Sequence, residues 1–471
     1  MSNLQSEANK RLAIGTITYI IGNMTSKILQ ILILPIITVT LSTSEYGYYD
    51  LLVTTISLVT PVVTLQMIEG MFRFMYDESE TTRKRTVSTV SAFLLCSFVV
   101  LAFGIATVNY IVPSLKYPVL IYLNYVSFII YNYMQKLARC QQKNKQFAIS
   151  GVLNTVVMLA LQATTLLLFK LGVDGMLIAN CLSYFTASIY LAFFTDTKKW
   201  FQFTEIKWDT FKELLKYSTP LIPNSVCWWL VASSDRYIIT MFLGTASNGV
   251  YSIASKFSQL LTFMTSVFQL AWQESAIIER GNEDRNVFYT HIFNIYMKLL
   301  MGGYLVVLPF IKLIIPVLLD SSYQTGYVYI PILLIGAVFS AFSQFYGSAY
   351  IVFKKTSGAF STTIIAAVIN LMIGIGLIKW IGLFAPALGT AVSFLVQWII
   401  RSYQMRDYFM VKIQKSAMIC LLLFMALITT VYYMNNSLMQ VLALLFGTIV
   451  FISYNKLFIT EILKKVFYRK A

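Results

Sequence analysis

The chain has 471 residues, of which 58% are hydrophobic and only 12% are charged, and its formal net charge is +16. An ordinary soluble protein carries about 25% charged residues, and many apolar runs here reach the roughly 20 residues that cross a bilayer as a helix. The composition excludes a string of soluble domains and predicts an all-α polytopic membrane protein.

Fourteen apolar segments follow one another along the chain, and each is a predicted transmembrane helix. The polar N-terminus lacks the apolar core and the cleavage site of a signal peptide, so we expect the first span to act as its own insertion signal. The predicted spans are residues 12–41, 46–75, 87–112, 117–139, 147–169, 173–195, 217–243, 247–277, 287–313, 323–352, 357–380, 383–405, 415–434 and 437–455.

The positive charge is distributed unevenly between the loops. With fourteen spans, the N-terminus inside and most charges at span ends counted with the adjoining loop, 27 of the 36 Lys and Arg residues fall in inside segments, six within spans and three outside. Lys and Arg in short loops set the orientation of membrane helices. The basic charge therefore predicts that both termini are cytoplasmic, and it does not indicate a nucleic-acid partner.

The chain contains two related halves. "STSEYGYYDL" (42–51) resembles "GTASNGVYSI" (244–253), with an offset of 202 positions. "LGVDGMLIANCLSY" (171–184) resembles "IGLFAPALGTAVSF" (381–394), with an offset of 210. Spans 1–6 and 7–12 are therefore predicted to be two copies of the same orientation, a parallel repeat that is typical of transporters whose halves rock about a central site.

The repeat predicts the domain organisation. The two six-helix bundles are joined by a cytoplasmic amphipathic linker, in which Thr210 and Glu213 form a capping-box pattern. Two additional spans and a basic cytoplasmic tail follow the repeat. The predicted limits are 1–196 and 217–410 for the bundles, 197–216 for the linker and 411–471 for the C-terminal addition.

Charged residues inside the spans are candidates for function, because a charge at membrane depth needs a partner or a watery cavity. Lys27 and Lys298 lie near the middle of spans 1 and 9, and Arg236 and Lys256 lie in the outer parts of spans 7 and 8. Four such cations from both halves are predicted to line a cavity that attracts an anion. Arg73, near the inner end of span 2, is a further candidate.

Two carboxylates are candidate partners of these cations. Glu69 and Arg73 are four residues apart on span 2 and are expected to neutralise each other. Asp235 precedes Arg236, but adjacent helical residues point about 100° apart. We therefore expect Asp235 to pair with Lys256 of the following span.

Motifs of catalysis are absent from the sequence. It has no G-x-x-x-x-G-K-[ST] phosphate loop, and its single histidine, His291, provides neither a Ser–His–acid site nor a histidine metal site. The sequence predicts a transporter without a metal or cofactor, and H+ and Na+ remain open as coupling ions.

Several motifs then resemble one family. Asp-Arg-x-Ile-Ile, Phe-Leu-Gly and Gly-x-Tyr-Ser-Ile-Ala-x-Lys follow one another in 235–256, and "LPIITVTLSTSEYGYYDLL" (34–52), "GMFRFMYD" (70–77) and "VFKKTSGAF" (352–360) agree with them. Together they resemble the O-antigen and capsule repeat-unit (Wzx-like) flippases. These belong to the multidrug/oligosaccharidyl-lipid/polysaccharide (MOP) exporter superfamily.

The resemblance implies a flippase for undecaprenyl-pyrophosphate-linked oligosaccharide repeat units in the bacterial cytoplasmic (inner) membrane. Membrane lipids, a polysaccharide polymerase and other assembly proteins are the implied partners. Asp235 and Glu69 would be charge partners or ion-coupling residues. The residues that would bind the pyrophosphate or acidic sugars are Lys27, Arg73, Arg236, Lys256 and Lys298.

Three alternatives remain open. A lipid II flippase and a multidrug extruder of the same superfamily would share the fold, although an extruder favours acidic cavity residues. A membrane glycosyltransferase or polymerase normally carries catalytic carboxylates in sizeable outer loops, and the predicted outer loops here are only a few residues long.

Overall fold

The computed structural model describes residues 29–77, 79–113, 115–195, 197–353, 355–434 and 436–467. Within these ranges every regular element is helical, and no strand occurs. The all-α fold class is therefore confirmed. The chain divides into two compact units, with the boundary between Trp229 and Leu230.

The helices of unit 1 follow the predicted spans of the first half. They are α1 Leu34–Thr40, α2 Thr43–Val63, α3 Met67–Asp77, α4 Glu80–Ile111, α5 Pro118–Cys140, α6 Asn144–Ala163 with a π-helical continuation Thr164–Leu168, α7 Gly172–Phe194, the short α8 Thr197–Trp200 and α9 Trp208–Ser218.

A long helical element, α10 Leu221–Ile278, runs from unit 1 into unit 2. The remaining helices of unit 2 are α11 Arg285–Leu318, the short α12 Ser321–Gln324, α13 Ile330–Val352, α14 Thr356–Ile381, α15 Phe384–Gln404, α16 Lys415–Tyr433 and α17 Ser437–Phe467.

Predicted spans 2 to 14 each coincide with a helix or with one arm of α10. Among the described helices, nine are long and apolar enough to cross a membrane, and α2 and α3 together would make a tenth. The predicted total of fourteen spans is not confirmed. Most of predicted span 1 lies outside the described residues.

Span 2 is bent rather than straight. α2 and α3 meet at an angle of 61°, because Leu65 and Gln66 both take positive φ angles, of 46° and 54°. This left-handed backbone ends a helix. The Gln66 side chain then donates a hydrogen bond to Ser225 Oγ at 2.5 Å, which ties the bend to the start of α10.

The linker helix α9 packs on unit 1. Leu214 is fully buried against α3 and α4, and the α-carbon of Gly70 lies so close that an added Cβ would meet Ser218 Oγ at 2.3 Å. The predicted capping box is wrong. α9 begins at Trp208, and the side chain of the preceding Lys207 makes no capping hydrogen bond. Thr210 already lies inside the helix and therefore is not the N-cap residue.

The two arms of α10 are separated at Gly244, which has φ 85° and ψ 170°. This backbone region is essentially restricted to glycine. The break coincides with the predicted turn between spans 7 and 8. In the first half the equivalent break is built differently, because Ser42 and Glu45 form a reciprocal capping box that starts α2.

We expect Gly244→Ala to lower the free energy of unfolding by about 1–3 kcal/mol, since the new Cβ is strained in this conformation. Gly376→Ala is the matched control. It lies inside α14 with nothing within 4 Å of an added Cβ, so it should be neutral or stabilising by about 0.5–1 kcal/mol. Thermal unfolding of the purified variants in detergent measures both, and equal effects would contradict the assignment of strain to Gly244.

Candidate functional site

A buried ion pair lies where the two arms of α10 face each other in unit 2. Asp235 and Arg236 are only 6% and 8% exposed, and Arg236 Nη1 lies 2.7 Å from Asp235 Oδ2. Arg236 Nη2 donates to Ser255 Oγ of the second arm at 2.6 Å. Buried charges are tolerated when they are paired and hydrogen-bonded, and this pair meets both conditions.

Further polar groups extend this site onto α14 and α15. The Tyr251 ring centre is 5.4 Å from the guanidinium carbon of Arg236, and the Tyr251 hydroxyl lies near the Asp235 carboxylate and the Thr390 hydroxyl. Asn370 Nδ2 donates to Thr390 Oγ1 at 3.2 Å. We call Asp235, Arg236, Tyr251, Ser255, Asn370 and Thr390 the Asp235 cluster.

The cluster corresponds to a neutral contact in unit 1. Tyr49 and Asn180 are the repeat equivalents of Tyr251 and Thr390, and Asn180 Nδ2 donates to the Tyr49 hydroxyl at 2.7 Å. The two positions that correspond to the ion pair hold Ile33 and Leu34, which are buried. The second half thus carries charge where the first half is apolar.

The expected pairing of Asp235 with Lys256 is wrong, because Asp235 binds its neighbour Arg236. The i,i+3 and i,i+4 rule describes side chains that extend along a helix surface. The arginine side chain is long enough to fold back beside the preceding residue. At a buried position the low dielectric strengthens the attraction between the two charges and favours that folded-back conformer.

The expected pairing of Glu69 is also incomplete. Glu69 Oε1 lies 2.7 Å from Lys136 Nζ of α5, so its ion partner comes from a neighbouring helix instead of from Arg73. The sequence does not show which helices pack together, and α3 packs against α5. Lys136 lies near the inner end of predicted span 4, and its charge was counted with the adjoining inner loop.

The other candidate cations lie as follows. Arg73 is exposed on α3 in unit 1, and Lys256 is half-buried on the second arm of α10, next to Ser255. Lys298 is half-buried on α11, and its carbonyl oxygen accepts a hydrogen bond from Asn455 Nδ2 of α17 at 3.4 Å. Lys27 lies outside the described residues. The roles predicted for these residues remain predictions.

Sequence reasoning missed Arg401, which is 2% exposed on α15. Its guanidinium donates to Thr362 Oγ1 at 3.0 Å, to the Ser343 carbonyl at 3.1 Å and to Thr363 Oγ1 at 3.3 Å. In the described part of the chain its partners are therefore neutral. The signal was available, because Ser393, Gln397 and Arg401 recur every four residues and so share one helix face.

The described residues contain no group of three or more His, Cys, Asp or Glu side chains that could hold a metal ion.

The ion pair of the Asp235 cluster can exchange partners. An anion that approaches Arg236 competes with Asp235, and a proton on Asp235 removes the negative charge that holds the guanidinium. Both events would free the guanidinium of Arg236 from Asp235, and this guanidinium also donates to Ser255 of the second arm.

The comparisons with known proteins agree with this architecture. Residues 12–272 match the model of a family described as polysaccharide biosynthesis protein. The structure is similar to that of the lipid II flippase MurJ in an inward closed conformation, with a TM-score of 0.70, 12% identity and coverage of 96% of this chain and 100% of that one. The structural matches confirm the predicted all-α fold class.

Multidrug transporters also share the fold. An inward-facing multidrug resistance MATE family transporter of the MOP superfamily has a TM-score of 0.63 and 13% identity, and covers 89% of this chain and 98% of its own. The structure is also similar to that of the Vibrio cholerae MATE transporter VcmN, with a TM-score of 0.57 and 11% identity. That match covers 85% of this chain and 98% of the VcmN chain. No curated protein matches the chain significantly in sequence.

We expect Asp235→Ala to lower the free energy of unfolding by about 3–5 kcal/mol, because it leaves a buried arginine uncompensated. The double variant Asp235→Ala/Arg236→Ala should lower the free energy of unfolding by clearly less than the sum of the two single variants.

Glu69→Ala is the comparator. It removes a pair whose side chains are 24% and 42% exposed, so we expect a loss below about 1 kcal/mol. Unfolding of the purified variants gives these values, and strict additivity at 235 and 236 would contradict the pairing.

Proposed function

Because the chain belongs to the polysaccharide biosynthesis protein family and has the fold of MOP-superfamily transporters, we propose that it is a flippase for lipid-linked oligosaccharide repeat units. The cargo would be an undecaprenyl-pyrophosphate-linked glycan that crosses a bacterial cytoplasmic membrane for surface polysaccharide assembly. The family match over residues 12–272 carries this proposal, and the likeness to a lipid flippase supports the fold it requires.

The chemistry of this cargo explains why a membrane protein would keep cations at depth. The pyrophosphate and glycan need a charged, hydrated route, whereas the polyprenyl chain is stable in lipid. Arg236 and Lys256 flank Ser255 in unit 2, and Lys298 lies on a neighbouring element of the same unit. We assign to these three, together with Lys27 and Arg73, the binding of the pyrophosphate or acidic sugars.

Partner exchange at Asp235 offers a coupling step. Protonation of its carboxylate would release the guanidinium of Arg236, 2.7 Å away, to bind the anionic cargo. Loss of the proton would restore the ion pair and expel the cargo. In this proposal H+ is the coupling ion, both termini are cytoplasmic, and a polysaccharide polymerase receives the product.

The related activities differ in their cargo. A lipid II flippase would carry another pyrophosphate-linked saccharide through the same kind of route. A multidrug extruder binds organic cations, for which the cationic residues at membrane depth are unfavourable. A glycosyltransferase or polymerase would need catalytic carboxylates on outer loops, which are short in this chain.

Deletion of the gene in its native host tests the proposal. We expect loss of one surface polysaccharide and accumulation of its lipid-linked repeat unit on the cytoplasmic side, both reversed by the wild-type gene. Lethality with accumulated lipid II would assign the chain to peptidoglycan synthesis instead. Unchanged surface glycans with increased drug sensitivity would indicate an extruder.

Complementation with Lys298→Gln tests the cationic route in the same host. This variant should export at least about tenfold less surface glycan, because it loses one charge-assisted bond to the cargo. Lys312→Gln is the matched control, because it removes the same charge from the same helix. The ammonium of Lys312 lies 3.4 Å from the ring centre of Tyr327, and Lys312 is not among the residues assigned to the cargo. Equal export by both variants at equal protein levels would contradict the role of Lys298.

A further inference from the structure

A basic pocket of about 300 Å³ lies in unit 1, whereas the Asp235 cluster belongs to unit 2. The beginning of α4, the turn between α5 and α6, and α8 contribute Arg83, Lys143 and Lys199 to its lining. Gln141 and Trp200 also line the pocket. We call this cavity the Arg83 pocket.

The contacts of two of these cations are as follows. Lys199 Nζ lies 3.7 Å from Glu80 Oε1, and Lys84 binds the same oxygen at 3.3 Å. Lys143 Nζ donates to the carbonyl oxygen of Phe194 at the end of α7. Among the described residues, no carboxylate lines the pocket, and a concave surface lined by cations concentrates positive potential.

Arg83 adds an observation that indicates a ligand. Its Nε is buried and has no hydrogen-bond partner in the described part of the chain. A buried donor without a partner is unusual in a folded protein and calls for an acceptor. An anionic oxygen in the pocket would accept from this N–H, and a guanidinium binds phosphate oxygens in a fork that two N–H groups form.

The position of the pocket narrows the class of ligand. The lining segments belong to inner loops in the topology that the positive charges predict, and the side chains of Met75 and Trp200 add apolar surface. Basic pockets between membrane helices on the cytoplasmic side suit the phosphate groups of lipid head groups. A free phosphate offers the same oxygens but no acyl chains for the apolar part.

We propose that the Arg83 pocket binds the phosphate group of an anionic lipid of the inner leaflet, with Arg83, Lys143 and Lys199 as its cationic contacts. None of these three cations is among the residues assigned to the cargo, and the proposal holds whether the transported lipid is a glycan repeat unit or another molecule. Occupancy would link α4, the α5–α6 turn and α8 at one end of unit 1.

Native mass spectrometry of the purified full-length chain tests the proposal with phosphatidylglycerol as the probe. We expect saturable binding of one lipid, weakened about tenfold by Arg83→Gln through loss of a charge-assisted contact. Lys145→Gln is the matched control. It removes one positive charge from the same turn, but Lys145 is exposed and does not line the pocket. This control should bind the lipid as the wild type does.

Further probes separate the possible sources of the phosphate. Competition by inorganic phosphate would show that the phosphate group itself is recognised, and absence of competition would show that the lipid is required. Both results support the site. Equal affinities of the wild type, Arg83→Gln and Lys145→Gln would overturn it, as would equal weakening by both variants, which indicates diffuse charge attraction. If Arg83→Gln does not fold, Lys199→Gln serves in its place, with the same expected and contradicting results.

Discussion

The neutralisation of charges at membrane depth is the constraint on which the rest of this structure depends. The bilayer interior offers no water to a charged group, so each charge needs a partner from the protein. Three different solutions occur. Arg236 binds the carboxylate beside it, Glu69 binds Lys136 of another helix, and Arg401 is held by hydroxyl and carbonyl oxygens. The contacts of Glu69 and Arg401 join different helices, and Arg236 reaches the other arm of its helix through Ser255.

The two halves show how a repeat can acquire a specialised site. Both keep a buried tyrosine after their first turn, and both place a polar residue of a later helix beside it. In unit 1 this contact, between Tyr49 and Asn180, is a neutral hydrogen bond. In unit 2 the same place adjoins Asp235 and Arg236, where apolar residues would satisfy the same packing. A charged pair in place of apolar packing is weak evidence for stability, and the proposed function therefore gives this pair a role in binding.

The sequence was sufficient for the order of the helices, because long apolar segments and the breaks between them are local features. The break at Gly244 was likewise readable from a short motif, and the same motifs predict the repeat. The choice of ion partners was not, since Lys136 and Glu69 are 67 positions apart and meet only through tertiary packing. Arg401 was missed because its position near a span end resembled a loop charge, although its polar neighbours recur at helical spacing.

The most direct test of the account is a flipping measurement with the purified protein in liposomes that contain a pyrophosphate-linked polyprenyl oligosaccharide. The account predicts that wild-type protein makes the inner-leaflet glycan accessible to an external glycan-modifying enzyme, and that Arg236→Gln slows this at equal reconstitution. The account would be contradicted if the inner-leaflet glycan stayed as inaccessible to the enzyme in liposomes with wild-type protein as it is in protein-free liposomes.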